Sequence, residues 1–304
     1  MTLTASNTGP DRVFRLRDGR RISYAEFGAP DGRPVLALHG TPASRLMYAI
    51  AASSAARLGL RLIAPDRWGY AGTDPHPEPS LSAWAQDAAE LADGLGLDRF
   101  SIIGISGGSP YAAGTAAELG SRVIAMALAV PVGPLVSNGS KRRLPLLQRL
   151  SFFWVGQRPS LTKSVFKAYG RFLNRWSRRA VSLAMIGQSR FDRELLRKPA
   201  INDYFGEISR EGLRAGGAGP AIDLQLFSSE WHVPLDRISA KTRIWIGKDD
   251  KLVPLAAARE LARAIPGAIL TELDDRGHFW IAEEYGQVLD WLAAAGRDEG
   301  EVRQ

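Results

Sequence analysis

The chain has 304 residues, of which 45% are hydrophobic and 23% are charged, as in a soluble globular protein of one large domain or one domain with an insertion. The absence of cysteine excludes disulfide bonds and thiolate metal sites, and no apolar run reaches the roughly 18 residues that a membrane-spanning helix needs. The formal net charge of +7 is accompanied by no helix-turn-helix, zinc-finger or RNA-binding pattern, so we expect no nucleic-acid partner.

The first part of the chain predicts a tail and a hairpin. Residues 1–10 are expected to be flexible, and they lack the basic and apolar regions of a secretory signal, which favours a cytoplasmic location. Residues 13–17 and 21–27 alternate between apolar and polar on either side of Asp18-Gly19. Alternation around an Asp-Gly pair is a strong signal for a β-hairpin.

Strands and helices then alternate along the chain. Apolar runs predict buried strands at 35–38, 60–64, 100–103, 123–130, 242–246 and 268–273. Helical patterns separate them at 44–58, 80–95, 109–119, 254–265 and 281–295, with Ser80 as a helix N-cap. Residues 131–238 interrupt this rhythm with helical, Arg-rich and aromatic segments. The pattern predicts an α/β fold: a doubly wound, mostly parallel sheet formed by 11–130 and 239–304, with 131–238 as an inserted helical cap.

A serine stands where one buried strand meets a helix. The sequence GISGG at 104–108 follows the apolar run 100–103 without a break. Glycines two residues before and after Ser106 form the G-x-S-x-G pattern of a nucleophile elbow, in which a tight, strained turn exposes the hydroxyl at the positive end of a helix dipole. Ser106 is therefore the candidate nucleophile.

A serine hydroxyl is a weak nucleophile at neutral pH, so it needs a base and a carboxylate to orient that base. The chain has four histidines, and His278 alone follows the last predicted strand, at the sheet edge where catalytic groups collect. Asp249 and Asp250 follow the preceding strand, and the order Ser…Asp…His fits this type of site. We prefer Asp250, three residues after Gly247, and keep Asp249 as the alternative.

Two backbone N–H groups are needed to hold the negative charge that develops on the substrate oxygen. Gly107 directly follows the candidate nucleophile. In the turn HGTP at 39–42, Pro42 has no N–H group, which makes Thr41 the second candidate donor.

Five segments together resemble the ordered motifs of the α/β-hydrolase superfamily, in its capped serine hydrolase branch. They are HGTP at 39–42, PDRWGYAGTD at 65–74, GISGG at 104–108, Gly247 with Asp250 and Pro254, and GHF at 277–279. The resemblance implies a catalytic triad and no cofactor or metal. Epoxide hydrolases and haloalkane dehalogenases of this superfamily carry an aspartate nucleophile, and the Ser106 of this chain argues against both.

The insertion carries the excess positive charge. Residues 131–238 contain 18 basic and 8 acidic residues, whereas the remainder of the chain has 21 and 24. An apolar stripe in this segment (Val165, Tyr169, Phe172, Trp176) predicts a helix packed on the core with a solvated basic face. As a lid, the segment would form an apolar pocket, for which the candidate residues are Phe153, Trp154, Tyr169 and Phe279.

These features predict a serine hydrolase that cleaves an ester, lactone or thioester bond in a small molecule with an apolar acyl or ring portion. The same triad could serve an acyltransferase, a peptidase or a carbon–carbon bond hydrolase. A non-catalytic ligand receptor on a hydrolase scaffold is the alternative from another class. The basic rim of such a lid would attract anionic substrates, carrier-bound acyl groups or a membrane surface. The sequence predicts no oligomeric state.

Overall fold

The computed structural model describes residues 11–134, 154, 156–184 and 186–296. Over these residues we number eight strands: β1 (Arg12–Arg15), β2 (Arg21–Gly28), β3 (Arg33–Leu38), β4 (Leu60–Pro65), β5 (Phe100–Ile105), β6 (Val123–Ala129), β7 (Lys241–Gly247) and β8 (Ile269–Leu273). They form a single sheet in the order β1-β2-β4-β3-β5-β6-β7-β8.

Most of this sheet is parallel. β1 pairs with β2 and β2 pairs with β4 in antiparallel fashion, whereas all pairs from β4 to β8 are parallel. The predicted α/β class and mostly parallel, doubly wound sheet are confirmed. Because the parallel strands share one direction, the loops after β3, β5, β7 and β8 all leave the same edge of the sheet.

The described residues form nine α-helices: α1 (Ala52–Arg57), α2 (Leu81–Gly94), α3 (Ser109–Leu119), α4 (Pro159–Ala184), α5 (Arg190–Arg197), α6 (Pro199–Gly212), α7 (Ala218–Phe227), α8 (Leu255–Ala264) and α9 (Ile281–Ala295). Ser80 caps α2 as predicted, with its hydroxyl accepting the N–H of Ala83 at 3.0 Å. The single helix predicted at 44–58 is instead a 3-10 helix, Arg45–Ala51, followed by the short α1. Tertiary bonds hold this segment, since the Arg45 N–H donates to Asp66 at 2.7 Å.

Alternate residues of the central strands supply the two halves of the core. In β6, Ala125, Ala127 and Ala129 pack into one apolar cluster, and Met126 and Leu128 pack into the other. The period-two alternation of side chains explains this division. Helices α1 and α9 cover the first face, while α2, α3 and α8 cover the second.

Helices α4 to α7 lie between β6 and β7 in the chain, and we refer to them as the inserted helices. Leu173 of α4 and Phe205 of α6 are buried in the first core cluster. The stripe predicted on α4 is only partly buried, however, because Val165 is 50% exposed and Trp176 is 45% exposed. The backbone of Trp176 departs from helical geometry (φ −143°, ψ 61°), although its ring still contacts that of Phe172. No helix in the described ranges is both long and apolar enough to cross a membrane.

Candidate active site

The turn after β5 holds Ser106 in a strained backbone conformation. Its φ is +51°, in the left-handed region that non-glycine residues rarely adopt. A Cβ at Gly104 would lie 2.8 Å from the Cβ of Ala112, and one at Gly108 would overlap the carbonyl oxygen of Leu38. Glycine is therefore required on both sides of the serine, and the serine faces outward just before α3.

Ser106, His278 and Asp250 form one continuous series of hydrogen bonds. The Nε2 of His278 lies 3.1 Å from the Ser106 Oγ, and its Nδ1 lies 2.8 Å from Asp250 Oδ2. The other carboxylate oxygen of Asp250 accepts the N–H groups of Leu252 and Val253, each at 2.8 Å. These amides fix the carboxylate, so that one oxygen stays directed at the imidazole.

The two candidate carboxylates differ in position. The Asp250 side chain is fully buried against His278, whereas Asp249 is exposed and its backbone N–H donates to the carbonyl of Arg276 at 3.0 Å. The partner of the imidazole is therefore Asp250. His39 is also buried near this edge, but its Nδ1 bonds the carbonyl of Gly40 at 2.8 Å.

The environment of His278 raises the pKa of its imidazole above the ordinary value of 6.5. Burial, the largest single influence, acts to lower the pKa because it disfavours the charged ring. The negative charge and hydrogen bond of Asp250, together with the charge of Asp192, outweigh it. For His39 the balance is opposite: burial and then the charge of Arg67 keep its pKa well below the usual range.

Thr41 and Gly107, the two candidate N–H donors, lie side by side at Ser106. A Cβ at Gly107 would overlap the Oγ1 of Thr41, so this contact also requires glycine. Both residues line the same cavity as Ser106 and His278.

That cavity has a volume of about 510 Å³. Its walls are mainly aliphatic and aromatic, with Val181, Phe205, Ile208 and Phe227 among them. Within the part of the chain that the structure describes, the lining contains no Lys, Arg, Asp or Glu. An uncharged, apolar group of a bound molecule fits such walls.

Two of the four predicted pocket residues line this cavity. Tyr169 and Phe279 do so, and burial raises the pKa of Tyr169 to about 12. Trp154 does not line it: the side chain is 53% exposed and the Arg158 guanidinium stacks over its ring. The pocket position predicted for Trp154 is thus corrected, because its apolar bulk is turned outward. Phe153 lies outside the described residues.

Comparison with known proteins identifies the family. The family model described as alpha/beta hydrolase fold matches residues 33–285. The chain belongs to the α/β-hydrolase family.

Similar α/β hydrolases differ in their named reactions. The 2-hydroxymuconate semialdehyde hydrolase of Pseudomonas putida is 27% identical over 276 residues, covering 90% of this chain and 89% of that protein. The pimeloyl-(acyl-carrier protein) methyl ester esterase of Aromatoleum aromaticum is 32% identical over 102 residues, covering 33% of this chain and 38% of that protein. The structure of Epoxide Hydrolase A from Mycobacterium thermoresistibile superposes with a TM-score of 0.73 at 17% identity, covering 95% of this chain and 98% of that one, and shows the shared fold alone.

Two buried residues of this α/β hydrolase were missed by the sequence analysis. Asp192 on α5 and Asp223 on α7 bond the segments that carry His278 and Thr41, respectively. A sequence signal was present only for Asp223, a carboxylate among apolar neighbours on its helix, whereas Asp192 stands among charged residues. The sequence does not indicate the partners of the two carboxylates, since His278 lies 86 residues from Asp192 and Thr41 lies 182 residues from Asp223.

Proposed function

We propose that this protein is a serine hydrolase that cleaves an ester, lactone or thioester bond through an acyl-enzyme intermediate. One observation carries the proposal: the contact series from Asp250 through His278 to Ser106 opens into an apolar cavity. An oriented base in contact with a strained, outward-facing serine is what nucleophilic catalysis by a hydroxyl requires.

In the first step the Ser106 Oγ attacks the substrate carbonyl carbon while the Nε2 of His278 accepts the hydroxyl proton. The imidazolium that forms is stabilised by Asp250 at Nδ1, 2.8 Å away. The former carbonyl oxygen becomes an oxyanion, which the N–H groups of Thr41 and Gly107 would hold. Donors that are fixed before the reaction stabilise this charge without reorganisation.

Collapse of the tetrahedral intermediate breaks the bond to the leaving group, and His278 returns its proton to that group. Water then repeats the sequence: His278 takes a proton from it, the hydroxide adds to the acyl carbon, and the Ser106 oxygen leaves with the proton. An alcohol in place of water would give acyl transfer, and an activated carbon–carbon bond could take the place of the ester at the same triad.

The cavity favours a neutral substrate. Its walls supply no charged side chain from the described residues to pair with a carboxylate, and a buried charge without a partner is strongly disfavoured. An apolar acyl chain or ring in the cavity would place its carbonyl beside Ser106.

The pH dependence of kcat/KM is expected to report the imidazole. Neutral His278 is needed to accept the proton, and its pKa is raised. Activity should therefore fall as the pH decreases through a midpoint above 6.5, the ordinary value for histidine. The measurement is kcat/KM of a neutral ester across pH 5 to 9 at constant ionic strength. A midpoint well below 6.5 would contradict the role assigned to Asp250.

A matched pair of esters tests the reaction and the cavity together. We expect p-nitrophenyl hexanoate to be hydrolysed with a kcat/KM about 100-fold or more above that of the equally long ester whose acyl chain ends in a carboxylate. Initial rates are measured with and without an added alcohol, and the products are analysed. Ester formation at the expense of acid would favour an acyltransferase. Stabilisation of the protein by such compounds with no turnover of any of them would favour a receptor.

A further inference from the structure

The inserted helices place two carboxylates behind the candidate active site. Asp192 on α5 and Asp223 on α7 are both 0% exposed. Neither lines the cavity. Each one bonds a different loop beside Ser106.

Asp192 binds the backbone of the loop that carries the base. Its Oδ2 accepts the N–H of His278 at 3.0 Å, and its Oδ1 accepts the N–H of Phe279 at 2.9 Å. The Ser189 hydroxyl donates to the same Oδ2 at 2.8 Å. Hydrogen bonds from amides to a carboxylate are roughly twice as strong as those between neutral groups, so this pair fixes the loop.

The residue before His278 leaves room for this contact. A Cβ at Gly277 would overlap the Oδ2 of Asp192 and approach the hydroxyl of Ser189. Glycine at position 277 thus allows the carboxylate of Asp192 to reach the loop backbone.

Asp223 binds the loop on the other side of Ser106. Its Oδ2 accepts from the Thr41 hydroxyl and, at 2.6 Å, from the Tyr70 hydroxyl, while its Oδ1 accepts from Tyr111 at 2.6 Å. The buried guanidinium of Arg67 bonds both Asp223 and, at 3.0 Å, the Oγ1 of Thr41. The side chain of Thr41 is therefore fixed by a charged, fully buried cluster.

We propose that Asp192 and Asp223 are positioning residues through which the inserted helices hold the two loops beside Ser106. Asp192 holds the imidazole of His278 at the serine, and Asp223 holds the N–H of Thr41 at the oxyanion position. The inference rests on the proposed function. In this proposal the inserted helices hold the catalytic loops in position and also form one wall of the cavity.

For Asp192 the test is Asp192→Asn. The amide keeps the size but has one oxygen acceptor and no charge, so one loop N–H loses its partner. The charge of Asp192, like that of Asp250, raises the pKa of His278. We expect kcat per active site to fall about tenfold or more, and the acidic midpoint of kcat/KM to move to lower pH. Active sites are counted by labelling with a fluorophosphonate.

The matched control is Glu194→Gln on the same helix, where the exposed carboxylate pairs with Arg190. Its kcat and pH midpoint should equal those of the wild type. If the role of Asp192 is purely structural, Asp192→Asn will lower the yield and the melting temperature but leave kcat per labelled site and the pH midpoint unchanged. That result would overturn the proposal. If Asp192→Asn does not fold, Gly277→Ala is measured, because its Cβ would displace the Asp192 carboxylate from the loop, and an unchanged kcat per site would overturn the proposal equally.

The role of Asp223 is tested by substituting Thr41, the residue whose hydroxyl donates to it. Thr41→Val removes the hydroxyl that donates to Asp223 and retains the backbone N–H, whereas Thr41→Ser keeps both. We expect Thr41→Val to lower kcat about tenfold with KM and the pH midpoint little changed, and Thr41→Ser to restore it. Equal kcat values for the two variants would overturn this half of the proposal.

Failure of the proposed function has a different signature. A wild-type protein that hydrolyses no ester and is not labelled at Ser106 contradicts the serine hydrolase itself. A labelled, active wild type with unaffected Asp192→Asn and Thr41→Val variants contradicts only the positioning roles.

Discussion

Ser106→Ala is expected to lower kcat/KM for a neutral activated ester by about four orders of magnitude or more. The substitution removes the atom that attacks the carbonyl, while His278, Asp250 and the two candidate oxyanion donors remain. The φ of +51° at this position is strained for alanine as it is for serine, so the free energy of unfolding should change little. Steady-state kinetics and thermal denaturation measure the two effects.

Ser109→Ala is a matched control for this experiment. Ser109 is the first residue of α3, directly after the turn, and its buried hydroxyl donates to the Gly104 carbonyl at 3.2 Å. It does not line the cavity. We expect that variant to retain activity within about tenfold, since it loses a single hydrogen bond of roughly 1 kcal/mol. Mass mapping of a fluorophosphonate adduct should place the label on Ser106 in the control and find none in Ser106→Ala. Wild-type turnover by Ser106→Ala would disprove the mechanism.

The fold could be predicted because its signals are local. The buried strands are short apolar runs, and the helix caps and turns between them use residues with strong conformational preferences. The hairpin around Asp18-Gly19 and the cap at Ser80 both formed as expected. The order of nucleophile, carboxylate and base along the chain also follows from local patterns, since each comes directly after a strand of the same parallel sheet.

The parts that could not be predicted depend on contacts distant in sequence. Asp192 and Asp223 resemble ordinary helix carboxylates until the chain folds and brings them to His278 and Thr41. The sequence favoured Asp250 but left Asp249 open as the alternative, because one residue of displacement in a turn reverses whether a side chain is buried.

Apolar composition alone also failed to predict burial in the insertion. Trp154 belongs to an apolar segment, yet its indole stacks with Arg158 at the surface. Val165 lines the cavity while half of its side chain remains exposed. A helix that forms one wall of an open cavity must present apolar side chains to both the core and the opening, so periodicity cannot separate the two roles.

Asp250→Asn is the second substitution with a large expected effect, a decrease in kcat of about three to four orders of magnitude. The amide cannot stabilise the imidazolium of His278 with a negative charge, and an N–H directed at Nδ1 would favour the tautomer that carries its proton on Nε2. That tautomer cannot accept the proton of Ser106. Loss of the charge also removes the main influence that raises the pKa of His278, so the residual activity should persist to lower pH than in the wild type.

Asp249→Asn provides the comparison that decides between the adjacent carboxylates. Asp249 is exposed, and its contact with the loop is made by the backbone N–H, which the substitution retains. Its kcat and the pH midpoint of its kcat/KM should match those of the wild type. Both variants retain the hydrogen bonds that backbone groups of this loop make with one another. If Asp249→Asn lost activity and Asp250→Asn did not, the imidazole would have to turn to a different carboxylate during the reaction. The 2.8 Å contact between Asp250 and His278 would then be structural, and the acid of the triad would have to be reassigned.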